Sequence, residues 1–165
     1  MRVGWILASK SICLKLKTIN WVVSGGGIVS TMSHIVCSYM QLGLMQKVID
    51  ATRKNFLERA IKVDKVLQGS DSFNYDFPWW GYFFWIKLNP KVDVEKLKRL
   101  LAKNKVLVLF GDSAMDSEKK NLPQFQYLKH RMRICFVKLD IEIVLIACQV
   151  IRNCIEESME SSPKF

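Results

Sequence analysis

The sequence has few of the residues from which disulfide-rich and metal-binding domains are built. It contains five cysteines and two histidines among 165 residues. The cysteine count is odd, and no two cysteines have the Cys-x-x-Cys spacing of a zinc or redox motif. His34 and His130 lie far apart and in no metal-binding pattern. These absences argue against a disulfide framework and a zinc site, and they favour a reducing compartment.

The sequence also lacks a hydrophobic run long enough to span a bilayer. The strongest apolar stretch, IEIVLIACQVI, carries Glu142 and falls short of the roughly 20 residues that a spanning helix needs. The first ten residues, MRVGWILASK, have one basic residue before their apolar stretch, which is too short for a signal peptide. We therefore expect a soluble protein in the cytoplasm, without a membrane partner.

Clustered basic residues are missing as well, although the formal net charge is +10. Lysines and arginines are spread along the chain and are usually mixed with acidic residues, and no stretch has five or six consecutive basic residues. This distribution is typical of a solvated basic surface and makes small anions plausible ligands. A basic module for nucleic acid or another anion stays a weaker alternative, since only the bulk charge supports it.

Hydrophobic periodicity predicts a first part that is mostly helical and a second part that alternates strand and helix. The second part contains an aromatic strand, YFFWIKL, and a helix that Asp93 would cap. The predicted elements are a strand from Val3 to Leu7, helices from Lys10 to Val23, Ile28 to Leu42 and Met45 to Leu67, strands in YFFWIKL, KVLVLFGD and RMRICFV, a loop in MDSEKKNLPQFQY, and helices after Asp93 and Asp140.

Two arginines stand in the last predicted strand, RMRICFV. Arg131 and Arg133 share one face of such a strand, while Met132 and Ile134 take the other. The first interpretation is a half-buried strand with a solvated basic face. The second is an arginine whose planar, two-pronged guanidinium binds a carboxylate. These residues alone favour the first interpretation.

No local motif identifies an enzyme, because the chain has neither a Gly-x-Ser-x-Gly elbow nor a P-loop. The order of its segments is more specific: RVGWILAS, an SGGG loop before a helix with QLGL, a long basic helix, GYFFWIKL, VDVEKL before KVLVLFG, and RICF before the last helix. This succession resembles the C-terminal portion of the class I/II (fold-type I) pyridoxal-phosphate-dependent aminotransferases. It looks closest to the branch of 2-aminoadipate and broad-specificity transaminases. The resemblance covers the chain from Arg2 to about Glu157.

The resemblance implies an α/β fold, a C-terminal small-domain α/β sandwich with about three strands and helices on one side. A mostly helical segment left from the large domain would precede it. Residues 1–45 would be a remnant of the large domain and the interdomain segment, residues 46–158 the small C-terminal domain, and residues 159–165 a frayed tail.

The resemblance also implies roles for a few residues. Arg2 would bind the phosphate of pyridoxal phosphate, and Arg133 would bind the α-carboxylate of the substrate. The loop near the subunit interface would be Ser24, Gly25, Gly26 and Gly27, in an intact enzyme that is a homodimer.

The chain departs from the family pattern in one way that decides activity. The lysine that forms a Schiff base with the cofactor lies upstream of the Arg-x-Gly-Trp segment in the family, and no lysine here matches it. Two turns also depart from the family pattern. The family's Pro-x-Gly-Gly turn is replaced by PWWG, and its Pro-Gly pair after the second strand is replaced by Phe110–Gly111. The full-length enzyme would transfer an amino group between an amino acid and a 2-oxo acid. We expect this chain alone, a truncated product or an incomplete gene model, to be inactive. The alternative is a non-catalytic α/β interaction domain.

Overall fold

The structure, a computed structural model, describes residues 3–19, 30–114 and 122–159. The chain divides into two compact units, residues 1–53 and 54–165. No helix in the described ranges is both long and apolar enough to cross a membrane. The division predicted at residues 45/46, and the frayed tail, stay predictions.

The regular elements of the first unit, among its described residues, are helices. Helix α1 is Lys10–Lys17, α2 is Ser30–Gln41, and α3 is Leu44–Leu67, which continues into the second unit. These helices confirm the predicted ones, although α1 ends well before residue 23. The predicted strand from Val3 to Leu7 is wrong, because residues 3–9 form no regular element. Leu7 is 98% exposed, and a strand forms only where another strand pairs with its backbone.

The second unit contains a sheet of four antiparallel strands in the order β1-β2-β4-β3. The sheet has one strand more than predicted. The additional strand, Phe73–Asn74, pairs with β2 and has no sequence signal because it is only two residues long. It confirms the strand nature of YFFWIKL and RMRIC, whereas only two residues of KVLVLFGD join the ladder. The strands are β1 Phe73–Asn74, β2 Phe83–Leu88, β3 Leu109–Phe110 and β4 Arg131–Cys135.

Helices cover one face of this sheet, which confirms the predicted α/β sandwich. In the central pair, Phe84 lies opposite Ile134 and Ile86 lies opposite Met132, and all four side chains are buried. They form one core with apolar residues of α3, of α4 (Val94–Lys103) and of α5 (Ile141–Glu157). The helical members of that core are Ala60, Val63, Leu67, Leu97, Leu101, Val144, Cys148, Ile151, Cys154 and Ile155.

The connection between β3 and β4 carries two 3-10 helices. The first is Gly111–Ala114, and the second is Pro123–His130. The second begins inside the segment predicted as a loop, MDSEKKNLPQFQY, so that prediction is wrong from Pro123 onward, while residues 115–121 lie outside the described residues. A proline at the start of the second helix fits because its fixed φ suits the first turn and its missing N–H is not needed there. This helix leads directly into β4.

An arginine joins helices α3 and α5. Arg152 Nη1 donates hydrogen bonds to the carbonyl oxygens of Val66 at 3.0 Å and Gln68 at 3.1 Å. Its Nε also donates to Glu156 at 3.0 Å. The carbonyl groups at the end of a helix have no partners within the helix. Arg152 therefore caps the end of α3 and fixes the following loop against α5.

Two aspartates precede helices of this unit, and their side chains make different contacts. Asp93 accepts hydrogen bonds from the N–H groups of Glu95 and Lys96, each at 3.0 Å, whereas the side chain of Asp140 caps no N–H group. We expect Asp93→Ala to lower the free energy of unfolding by about 1 kcal/mol. Asp140→Ala should cost only a few tenths of a kcal/mol, from its effect on the helix dipole. Urea unfolding measures both changes, and equal losses would contradict the assignment.

Candidate functional site

Of the residues to which the resemblance gives a role, only Arg133 lies in the described part of the chain. Arg2 and the loop Ser24–Gly27 lie outside the described residues. Arg133 is the central residue of β4, where it lies opposite Trp85 of β2 and Leu109 of β3. It stands on the face of the sheet that is turned away from the helical core.

The side chain of Arg133 rests on an aromatic ring. Its guanidinium carbon lies 4.0 Å from the centroid of the Phe83 ring. An arginine over an aromatic face gains a cation–π attraction of about 0.5–1 kcal/mol at an exposed site. Arg133 is half-buried, so the ring also restricts where its donor groups point. Phe83 thereby positions Arg133.

Arg133 has no acidic partner within the described residues. The ion pairs found among those residues join Lys98 to Glu95 and Asp112, and Arg152 to Glu156. The guanidinium of Arg133 also makes no side-chain hydrogen bond with another described residue. No described side chain thus accepts from the five N–H donors of its planar fork, whose geometry matches a carboxylate.

Arg131 has different surroundings, although it shares the same face of β4. It lines a mostly polar depression together with Asp76 and Lys87. An acidic side chain is thus already present near Arg131. The two arginines therefore share a strand face and are both half-buried, but they differ in the charges around them.

A cavity of about 460 Å³ opens beside Arg133. It lies between the segment of residues 106–109, the end of β4 and helix α5. Its walls are mostly apolar, and its two cationic residues are Arg133 and Lys138, while none of its lining residues is acidic. The apolar wall residues include Val106, Val108, Val144, Ala147 and Ile151. Such a site suits an anion with an apolar group attached.

An arginine from α3 fixes the turn at the mouth of this cavity. Arg59 Nε donates a hydrogen bond to the carbonyl oxygen of Phe136 at 2.8 Å, and its Nη2 donates to the carbonyl oxygen of Leu139. These two bonds hold the connection between β4 and α5. They thereby set the position of Lys138 and Leu139, which both line the cavity.

Two cysteines line the cavity with different chemistry. Cys135 is exposed and Cys148 is buried. Burial raises the pKa of Cys148 to about 12, so this thiol stays protonated at neutral pH and serves as an apolar wall. No group of three or more potential metal ligands occurs in the described ranges.

Sequence reasoning selected Arg133 as a candidate, but it did not point to Phe83, Lys138 or Arg59, which surround it or shape the cavity beside it. Phe83 shares a strand face with Trp85, so alternation along β2 places it on the open face. Nothing in the sequence pairs it with Arg133 before the register of β2 and β4 is known. Arg59 and Lys138 belong to segments far apart in the sequence, which only the fold brings together.

Comparisons with protein-family models and with curated proteins found no match to the sequence. Among solved structures, a similar one is Pyrococcus horikoshii kynurenine aminotransferase in complex with PMP, with KYN as substrates and KYA as products. The TM-score is 0.62 at 20% sequence identity, over 74% of this chain and 29% of that one. The chain has the fold of part of an aminotransferase. It spans 29% of the length of this neighbour, and at this identity the likeness concerns the fold.

Proposed function

We propose that the chain is the C-terminal portion of a pyridoxal-phosphate-dependent class I/II aminotransferase, of the branch of 2-aminoadipate and broad-specificity transaminases. The intact enzyme transfers an amino group between an amino acid and a 2-oxo acid. The shared fold supports the family, and one observation carries the function: Arg133 stands half-buried on the open face of β4, without an acidic partner among the described residues.

In this proposal Arg133 binds the α-carboxylate of the substrate. Two parallel N–H···O bonds fix the direction of the carboxylate as well as its distance. The ring of Phe83 holds the guanidinium before the substrate arrives, so less conformational freedom is lost on binding. A carboxylate fixed in this way orients the Cα–H bond for proton transfer.

The cofactor and the second subunit belong to the proposal as well. Pyridoxal phosphate, when bound, supplies the electron sink that amino-group transfer requires. The resemblance assigns its phosphate to Arg2, which lies outside the described residues, so we derive no step through the cofactor. The same proposal has Ser24–Gly27 near the subunit interface of a cytoplasmic homodimer.

The first test measures carboxylate binding by Arg133 in the 165-residue chain. We expect 2-oxobutanoate, a small 2-oxo acid, to shift the amide NMR signals of β4. Arg133→Gln should weaken this binding about tenfold or more, because a charge-assisted hydrogen-bonded pair contributes about 1.5–3 kcal/mol. The matched control, Arg131→Gln, alters the same strand face two residues away and should leave binding unchanged. Equal effects of the two variants would contradict the role of Arg133.

The second test concerns activity. We expect no saturable adduct at a single lysine after borohydride reduction, and no amino transfer, when the purified 165-residue chain is titrated with pyridoxal phosphate. The reason is that none of its lysines matches the Schiff-base lysine of the family. A specific adduct on one lysine, with turnover of an amino acid, would show that the proposed alignment with the family is wrong.

A further inference from the structure

We propose that the cavity beside Arg133 binds a large apolar group carried by the carboxylate that Arg133 holds. The ligand class is a monocarboxylate with an aromatic or long aliphatic tail. The proposal rests on the proposed function for its carboxylate contact, and it adds the class of substrate side chain. Three features of the described residues carry it: the break in the sheet that forms the cavity, the chemistry of its walls, and its charge.

The cavity exists because the edge strand β3 is short. Only Leu109 and Phe110 pair with β4, opposite Arg133 and Met132. Residues 106–108 leave the ladder, so the next residues of β4, Ile134 and Cys135, have no strand beside them on that side. The gap extends from the open face of the sheet, at Arg133, to the core face at Cys148 of α5.

The walls of this gap suit an uncharged group. Valine side chains line it on the side of residues 106–108, and α5 contributes Val144, Ala147 and Ile151. The thiol of Cys148 is uncharged at neutral pH, because burial raises its pKa to about 12. The volume of about 460 Å³ lies in the range of roughly 300–1,000 Å³ found for small-molecule sites. A phenyl ring or a branched chain therefore finds apolar contact on several sides.

The charges at the mouth select the sign of the ligand. Arg133 and the exposed Lys138 are the cations among the lining residues, and no lining residue is acidic. An ammonium group placed in the cavity would have no carboxylate partner there, and burying an unpaired charge is costly. The cavity thus favours a tail without a cation, and the carboxylate remains at the mouth beside Arg133.

The test compares three probes with the purified 165-residue chain by NMR titration: 4-phenylbutanoate, its neutral amide 4-phenylbutanamide, and butanoate. We expect 4-phenylbutanoate to bind at least tenfold more tightly than butanoate, because burial of a large apolar group favours binding. It should also bind about tenfold more tightly than the amide. Arg133→Gln should weaken binding of both carboxylates about tenfold and leave the amide unchanged.

Variants of α5 locate the tail. Ala147→Phe fills the cavity and should reduce the affinity for 4-phenylbutanoate to that for butanoate. The matched control is Ile146→Phe, at a neighbouring position whose side chain is 67% exposed and does not line the cavity. It should change neither affinity. If Ala147→Phe leaves the preference for the phenyl group intact, the tail binds elsewhere and the proposal is overturned.

A measurement on the unaltered chain guards against a variant that fails to fold. We expect 4-phenylbutanoate to slow alkylation of Cys135, which lines the cavity, and not that of Cys37, which is exposed on α2. Equal alkylation of Cys135 with and without the probe would overturn the proposal. If the phenyl group adds no affinity while Arg133→Gln still weakens binding of butanoate, the cavity proposal fails and the role of Arg133 stands. If Arg133→Gln weakens neither carboxylate, the role of Arg133 itself fails.

Discussion

Phe84→Ala should lower the free energy of unfolding by about 3–5 kcal/mol, the range measured when a buried phenylalanine is truncated. Phe84 is 0% exposed in the centre of β2. Its ring meets Tyr75, Phe136 and Phe77 at centroid distances of 5.2, 5.5 and 6.3 Å, all in edge-to-face orientations. Removing this ring takes one aromatic contact from each of these three neighbours and opens a cavity between the sheet and its helices. Single domains have a total stability of about 5–15 kcal/mol, so the loss is a large part of it.

Urea unfolding followed by circular dichroism measures this loss. The matched control is Phe83→Ala, the same substitution one residue earlier on the opposite face of β2. Phe83 is half-buried and rests against the guanidinium of Arg133, so its truncation should cost about 1 kcal/mol. Equal costs for the two variants would mean that the core does not lie on the face described.

Gly111→Ala should cost about 3 kcal/mol, at the upper end of the range for overpacking. Gly111 follows β3 directly and is the first residue of the first 3-10 helix. A Cβ atom added to it would lie 2.6 Å from the carbonyl oxygen of Leu128 and 3.1 Å from Cβ of Arg131. The first contact is with backbone, which cannot rotate away. The second 3-10 helix would have to move, and β4 begins directly after it.

The control for Gly111→Ala is the same substitution at Gly4, where an added Cβ meets no atom within 4 Å. We expect no measurable change in the free energy of unfolding for Gly4→Ala. Because the displacement at Gly111 reaches the first residue of β4, Gly111→Ala should also weaken binding of 2-oxobutanoate. A stable Gly111→Ala variant with unchanged binding would contradict the close approach.

Sequence reasoning predicted the elements whose signals are long and regular. The apolar stripe of the α3 segment was sufficient to predict that helix, and the capping aspartate was sufficient to predict the start of α4. Alternation in RMRIC placed Met132 and Ile134 on the same, buried face of the strand. The predicted strand from Val3 to Leu7 had the right composition. Composition describes how a strand packs, however, and not whether another strand pairs with it.

The candidate site was harder to predict, because it depends on registers between distant segments. Arg133 could be selected from alternation together with the family resemblance. The ring beneath it comes from β2, the second cation from the turn after β4, and the apolar walls from both the β3 segment and α5. The composition of KVLVLFGD predicts a full strand. Only Leu109 and Phe110 pair with β4, however, and no sequence signal indicates that residues 106–108 stay outside the sheet and so create the cavity. Leu107, apolar and 98% exposed, shows how far this segment departs from a buried strand.

The strand order β1-β2-β4-β3 has a consequence for how the chain folds. The two longest strands, β2 and β4, are neighbours in the sheet, yet α4, β3 and both 3-10 helices lie between them in the sequence. Pairing them requires closure of a long loop, which slows folding of non-local sheets. On the ribosome, the aromatic segment FFWIKL is synthesised well before its main partner. Until RMRIC is synthesised, only α3 and the two residues of β1 can cover the apolar side chains and the unpaired backbone edge of FFWIKL. The nascent chain is most exposed to aggregation during this interval.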